Sequence, residues 1–184
     1  MSCQEYRKRK TLIVGEVNSG KTERTLQILR DLLSCGEDLI AVLDLAPERI
    51  QGVGGKMSLF PAERERMLYL SPQIAPPRLW GKDEEEIQVL AQENLRRIEE
   101  EFKKLQGRSL RTVVINDVSL YLQAGRAEDL FLSLEKIPTL VMNGYYGRYF
   151  GASAFSRRER EQMEVLISRC DQVFYLPAVI FPSV

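Results

Sequence analysis

Histidine is absent from the 184-residue chain. This excludes a histidine base, a histidine nucleophile and a histidine metal ligand, and with them a nucleotidylated-histidine intermediate. Cysteine is scarce. Cys3, Cys35 and Cys170 are too few and too scattered for a disulfide framework or a zinc site, which fits a reducing cytoplasm. Excess charge of either sign is missing too, with 26 Lys plus Arg against 26 Asp plus Glu. A net charge of zero argues against broad binding to nucleic acid or to an anionic membrane. No apolar run approaches the roughly 20 residues of a bilayer span, and "MSCQEYRKRK" leads into no apolar stretch of signal-peptide length. Repeats and low-complexity linkers are also lacking. A single domain over 1–184 is therefore expected, long enough to bury a full core.

What the chain does contain is an alternation of strand-like and helix-like runs. The apolar, β-branched runs are 11–14 "TLIV", 39–44 "LIAVLD", 67–70 "MLYL", 112–117 "TVVIND", 138–143 "PTLVMN" and 172–176 "QVFYL". Such runs read as strands of a mostly parallel sheet, buried on both faces, in an α/β domain. Between them, Leu26, Leu29, Leu32 and Leu33 line one face of a helix that ends at Gly36. Ile87, Ala91, Leu95, Ile98, Phe102 and Leu105 line another, over 84–106, with Asp83 as N-cap and Glu86 three residues on. A short helix is predicted near 126–136. A last one is predicted to open on the capping pair Ser156 and Glu159.

Residues 15–22 are Gly-Glu-Val-Asn-Ser-Gly-Lys-Thr, the complete G-x-x-x-x-G-K-[ST] pattern, between a strand and a helix. Gly15 and Gly20 permit the turn. The backbone N–H groups of Asn18, Ser19, Gly20, Lys21 and Thr22, with the helix dipole behind them, then form an anion cradle. Lys21 supplies a point charge to the β- and γ-phosphates, and Thr22 a hydroxyl to Mg²⁺. "TVVIND" supplies the acid that such a site needs near the metal, with Asp117 as the candidate.

With these two motifs the chain resembles the P-loop NTPases over nearly its whole length. The long helix-bearing segment before "TVVIND" is similar to the RecA-like branch, in which a strand intervenes between the phosphate-loop and acidic strands. The resemblance implies a three-layer αβα fold and Mg–ATP binding. The layout also resembles small single-domain nucleoside triphosphatases. "TLVMNGYYGRYFG" with the helix and strand after it resembles the adenosylcobinamide kinase/guanylyltransferases. The guanylyltransferase activity of the latter needs a histidine and does not carry over. The RecA-like families place a Glu beside the acidic-strand Asp, whereas this chain has Asn116-Asp117. Two alignments stay open: Asp117 as the magnesium residue, or Asn116 in that place with Asp117 as base. The guanine-reading N-K-x-D motif is absent, which favours ATP while leaving GTP open.

Other candidates lie at strand ends, the edge where open α/β sheets bind ligands. Asp44 is a candidate to orient a small-molecule acceptor or act as its base, with Arg49 nearby. Asn143 is a candidate γ-phosphate sensor, on a strand expected beside the phosphate-loop strand. Arg148, Arg157, Arg158 and Arg160 read as a solvated helix start or as a lid. Tyr145, Tyr146, Tyr149 and Phe150 read as packing or as a stacking surface. "APPRLWG" reads as a substrate or partner surface, and Gly54-Gly55-Lys56 as a flexible loop. The expected function is cleavage or transfer of the γ-phosphoryl group, by an NTPase or small-molecule kinase. A nucleotide-dependent switch with little hydrolysis is the alternative.

Overall fold

The computed structural model describes residues 3–49 and 55–177. Six parallel strands form one sheet in the order β3-β2-β4-β5-β1-β6. They are β1 (Lys10–Gly15), β2 (Ile40–Asp44), β3 (Leu68–Leu70), β4 (Thr112–Asn116), β5 (Thr139–Tyr145) and β6 (Gln172–Leu176). The inner strands β2 and β4 are buried at every position, and β3 and β6 at the edges are half-covered. That difference explains why β2 and β4 read as unbroken apolar runs.

Successive side chains leave opposite faces of each strand and feed two cores. Ile13, Val42, Val114 and Val141 pack with Leu26, Leu29 and Leu32 of α1 (Lys21–Ser34). Leu12, Leu43, Ile115, Leu140 and Met142 pack with the other helices. Those helices are α4 (Glu84–Leu105), α5 (Ser119–Leu122), α6 (Ala127–Ser133) and α7 (Ala154–Ser168). The short α2 (Pro61–Arg64) and α3 (Pro77–Trp80) lie in the connections on either side of β3. The result is the expected three-layer αβα fold, with β5 between β1 and β4 as in the RecA-like order.

Asp83 caps α4 by accepting the Glu86 N–H at 2.8 Å. Glu86 reaches back to the Lys82 N–H at 2.9 Å. The start of α7 differs from expectation. Its N-cap is Ser153, whose hydroxyl accepts the Ser156 N–H at 3.1 Å. Glu159 is no surface capping partner; it is turned inward and buried, because Arg78 meets it there. The cysteines need a second correction. Cys3, in a turn of 3₁₀ helix, and Cys35, after the end of α1, form a disulfide across a sequence separation of 32. The scatter of the cysteines therefore carries no argument about redox compartment. Among the described residues, no helix is long and apolar enough to cross a membrane.

Candidate functional site

The parallel register aligns strand ends. Asp44 pairs with Asn116, and Ile13 with Asn143, so the ends of β2, β4 and β5 meet beside the loop that follows β1. That loop turns through left-handed backbone at Asn18 (φ 59°) and Gly20 (φ 84°) before α1 begins at Lys21. A Cβ at Gly15 would lie 2.6 Å from Ser19 Oγ and 2.7 Å from the Leu176 carbonyl, so no side chain fits there. Lys21 folds back over the loop. Its Nζ donates to the Glu16 carbonyl at 2.5 Å and reaches Ser19 Oγ at 3.4 Å. Burial pulls its pKa down, against the opposing pull of Asp117 and Glu16. An anion at the loop would restore what burial takes from this ammonium.

Thr22 settles where the two residues of the Asn116-Asp117 pair stand. Its hydroxyl donates to Asn116 Oδ1 at 3.1 Å. Asn143 braces the same atom, donating to Asn116 Oδ1 at 2.9 Å and to Thr25 Oγ1 at 2.7 Å. The Asn143 side-chain oxygen accepts the Asp117 N–H at 3.0 Å, and its main-chain carbonyl accepts the Val118 N–H at 2.7 Å. Asp117 itself lies one residue further on, in left-handed backbone (φ 61°). Its carboxylate accepts the Ser119 hydroxyl. Burial raises its pKa, while Ser119, Lys21 and Arg78 pull it down. Asp tolerates this conformation better than most residues, but holding it there needs surrounding support. Asn143 provides that support.

Asp44 is not where an acceptor-holding acid should be. It is fully buried. Its carboxylate accepts the Met57 N–H at 2.7 Å, the Tyr69 hydroxyl at 2.5 Å and the Asn116 amide at 2.7 Å. Three donors occupy it, and it does not line the cleft, so an acceptor hydroxyl has no access. Asp44 is a buried anchor that orients Asn116.

The cleft over these residues has a volume of about 740 Å³. Residues 17–23, Asp117 and Asn143 line it, as do Lys56, Arg78, Tyr145 and Phe150. From the sequence, Lys56 reads only as part of a flexible loop and Arg78 only as part of the "APPRLWG" surface. Lys56 Nζ donates to the Asp44 carbonyl at 2.9 Å, so this part of the glycine loop is tied to the site; Ile50–Gly54 lie outside the described residues. The legible signal for both was position, since each follows a parallel strand and so returns to its C-terminal edge. Arg49 also borders the cleft.

The arginines after β5 have other uses. Arg158 donates to carbonyls from Leu122 to Gly125, and Arg160 to the Gly147 carbonyl. Arg157 donates to the Ala152 carbonyl at 2.8 Å. None of the four lines the cleft. The aromatic cluster is a packed group, with Phe150 meeting Tyr145 at 4.9 Å and Tyr149 at 5.1 Å between ring centres. Glu16 holds this segment to the phosphate loop through the Arg148 and Tyr149 N–H groups, at 2.5 and 3.4 Å.

Thr22 and Asp117 line the cleft and are the oxygen donors that would meet a magnesium ion, while Asn116 is fully buried and its Oδ1 accepts from Thr22 and Asn143. Among the described residues no cluster of three or more acidic, Cys or His side chains could hold a metal. Magnesium in nucleotide sites takes only one or two protein ligands, the rest being phosphate and water.

No protein-family model and no curated protein sequence matches this chain. Among solved structures 169 chains match. One is the crystal structure of flagellar accessory protein FlaH from Methanocaldococcus jannaschii. The likeness covers 92% of this chain and 71% of that one, with a TM-score of 0.51 and 9% identity. At that identity the likeness shows the fold alone, a parallel α/β sheet flanked by helices, in agreement with the strand order above.

Proposed function

We propose that the cleft binds a Mg²⁺-complexed nucleoside triphosphate, ATP in the first instance, and that the chain cleaves the γ-phosphoryl group. The observation that carries this is the strand-turn-helix geometry of residues 15–22. Lys21 and Thr22 of this segment line, together with Asp117, a cleft of about 740 Å³. The N–H groups at the head of α1 would take the β-phosphate, and Lys21 would leave the Glu16 carbonyl to bridge to the γ-phosphate. Thr22 would hold the magnesium, with Asn116 orienting the Thr22 hydroxyl, and the ion would supply charge neutralisation to the phosphates. The contact between Thr22 and Asn116 supports the alignment with Asn116 in the metal-proximal place, which leaves Asp117 to orient water as a base. With Asp44 fully engaged, water is a better supported acceptor than a hydroxyl held by that residue.

One observation favours the second reading, a nucleotide-dependent switch with little hydrolysis. Thr22 meets a neutral amide where a carboxylate would bind magnesium more strongly. The two readings part on a simple assay: phosphate release from Mg–ATP and Mg–GTP by the purified protein, beside nucleotide affinity. Turnover supports cleavage, binding without turnover supports the switch, and failure of both nucleotides to bind overturns the proposal.

A further inference from the structure

Arg78 stands in the proline-rich turn that the phosphate-loop reading leaves unexplained. Pro76 and Pro77 precede it, and it is the second residue of the single turn of α3. Its guanidinium lies over two rings, 4.5 Å from the centre of Phe150 and 5.0 Å from that of Phe155. Nη1 is 3.0 Å from Glu159 Oε2, a carboxylate buried on α7. Nη2 is buried and has no hydrogen-bond partner among the described residues. The residue lines the cleft, and both Arg78 and Lys21 act on the Asp117 carboxyl as nearby cations.

This arrangement is costly as a purely structural device. Burying an ion pair seldom stabilises more than an apolar pair of the same size. A buried donor left open adds a further penalty, and such donors are rare. The rings and Glu159 fix the guanidinium in place before any ligand arrives. What remains is a fixed guanidinium charge on the cleft lining, suited to an anionic oxygen. Arg78 thus lines the same cleft as the phosphate loop that would take the β-phosphate.

We propose that the Arg78 guanidinium contacts the γ-phosphoryl group and so distinguishes triphosphate from diphosphate. This rests on the nucleotide-binding reading above. The test measures Kd for Mg–AMP-PNP and for Mg–ADP by calorimetry, in the wild type and in Arg78→Ala, with thermal melts as a check of folding. Because Arg78→Ala leaves Glu159 buried without its partner, the double variant R78Q/E159Q is measured as well. It removes both charges together. The expected result is that Mg–AMP-PNP affinity falls roughly tenfold to a hundredfold, the scale of a hydrogen bond to a charged group. Mg–ADP affinity should stay within about threefold, so the ratio of the two collapses. A purely structural Arg78 would lower both affinities in parallel or neither, and either pattern overturns the inference. A wild type that binds neither nucleotide overturns the nucleotide-binding reading itself, a different result from an unchanged ratio in a binding-competent protein.

Discussion

Replacing Asn116 by Asp would restore a carboxylate at the position that touches Thr22, and the structure predicts that the change harms the protein. The Asn116 amide donates to Asp44 Oδ1 at 2.7 Å. A carboxylate at 116 would face the Asp44 carboxylate directly, both fully buried. Two unit charges about 4 Å apart repel by about 4 kcal/mol at an effective dielectric constant of about 20. The fold can escape by keeping one proton on the pair. Holding an ordinary carboxyl of pKa about 3.9 protonated costs about 1.36 kcal/mol per pH unit, or about 4 kcal/mol at pH 7 and about 1.5 kcal/mol at pH 5. The sign follows: proton affinity of the pair is raised by folding, so stability is kept at low pH and lost as pH rises above the unfolded carboxyl value. Urea unfolding of Asn116→Asp should therefore show a loss of about 4 kcal/mol at pH 7 that shrinks to about 1.5 kcal/mol at pH 5. The swap D44N/N116D should recover most of it. Asn at 44 can still accept from Met57 and Tyr69, and can donate to Asp at 116. An Asn116→Asp variant as stable as the wild type at pH 7, or a loss that does not change with pH, would refute the pairing of Asp44 with Asn116 and the reason given for an amide at this position.

Asp117→Asn keeps the shape and the left-handed backbone. It should lower turnover by about 10²–10⁴-fold with nucleotide affinity retained, as measured by steady-state phosphate release and calorimetry. Burial raises the Asp117 pKa, so the same variant should melt higher than the wild type at neutral pH. The gain should vanish below the unfolded carboxyl value of about 3.9, because both states are then protonated; a lower Tm at neutral pH would contradict the burial argument. Burial pushes the Cys170 thiol up to about 12. Iodoacetamide at pH 8 should therefore label it only after denaturation, which peptide mass mapping will read. The same map should find Cys3 and Cys35 joined in a non-reducing digest.

The sheet was legible because its four inner strands are apolar runs that close on Gly15, Asp44, Asn116 and Asn143, and the phosphate loop because its chemistry is local to eight residues. Other features depended on distant partners. Asp44 reads as a strand-end acid, but its role is set by Met57 and Tyr69, which lie 13 and 25 residues away in sequence. The Asn116-Asp117 ambiguity turned on one dihedral angle, the φ of 61° that swings Asp117 off the strand. The start of α7 was misread because Ser153 and Ser156 both suit an N-cap. Glu159, which favoured the second on paper, is drawn inward by Arg78 from another part of the chain. Arg78 itself carries no local signature, since its surroundings come from α7 and the segment after β5.

The central claim is that residues 15–22 hold phosphate. It is tested most directly by calorimetric titration of Mg–ATP into the wild type and into Lys21→Ala. Lys21 is engaged by little beyond the Glu16 carbonyl and Ser19, so its loss should leave the fold intact, and the thermal melt will show this. Saturable binding is expected for the wild type, and binding too weak to measure for the folded variant. Equal affinity in both, with both folded, would contradict it.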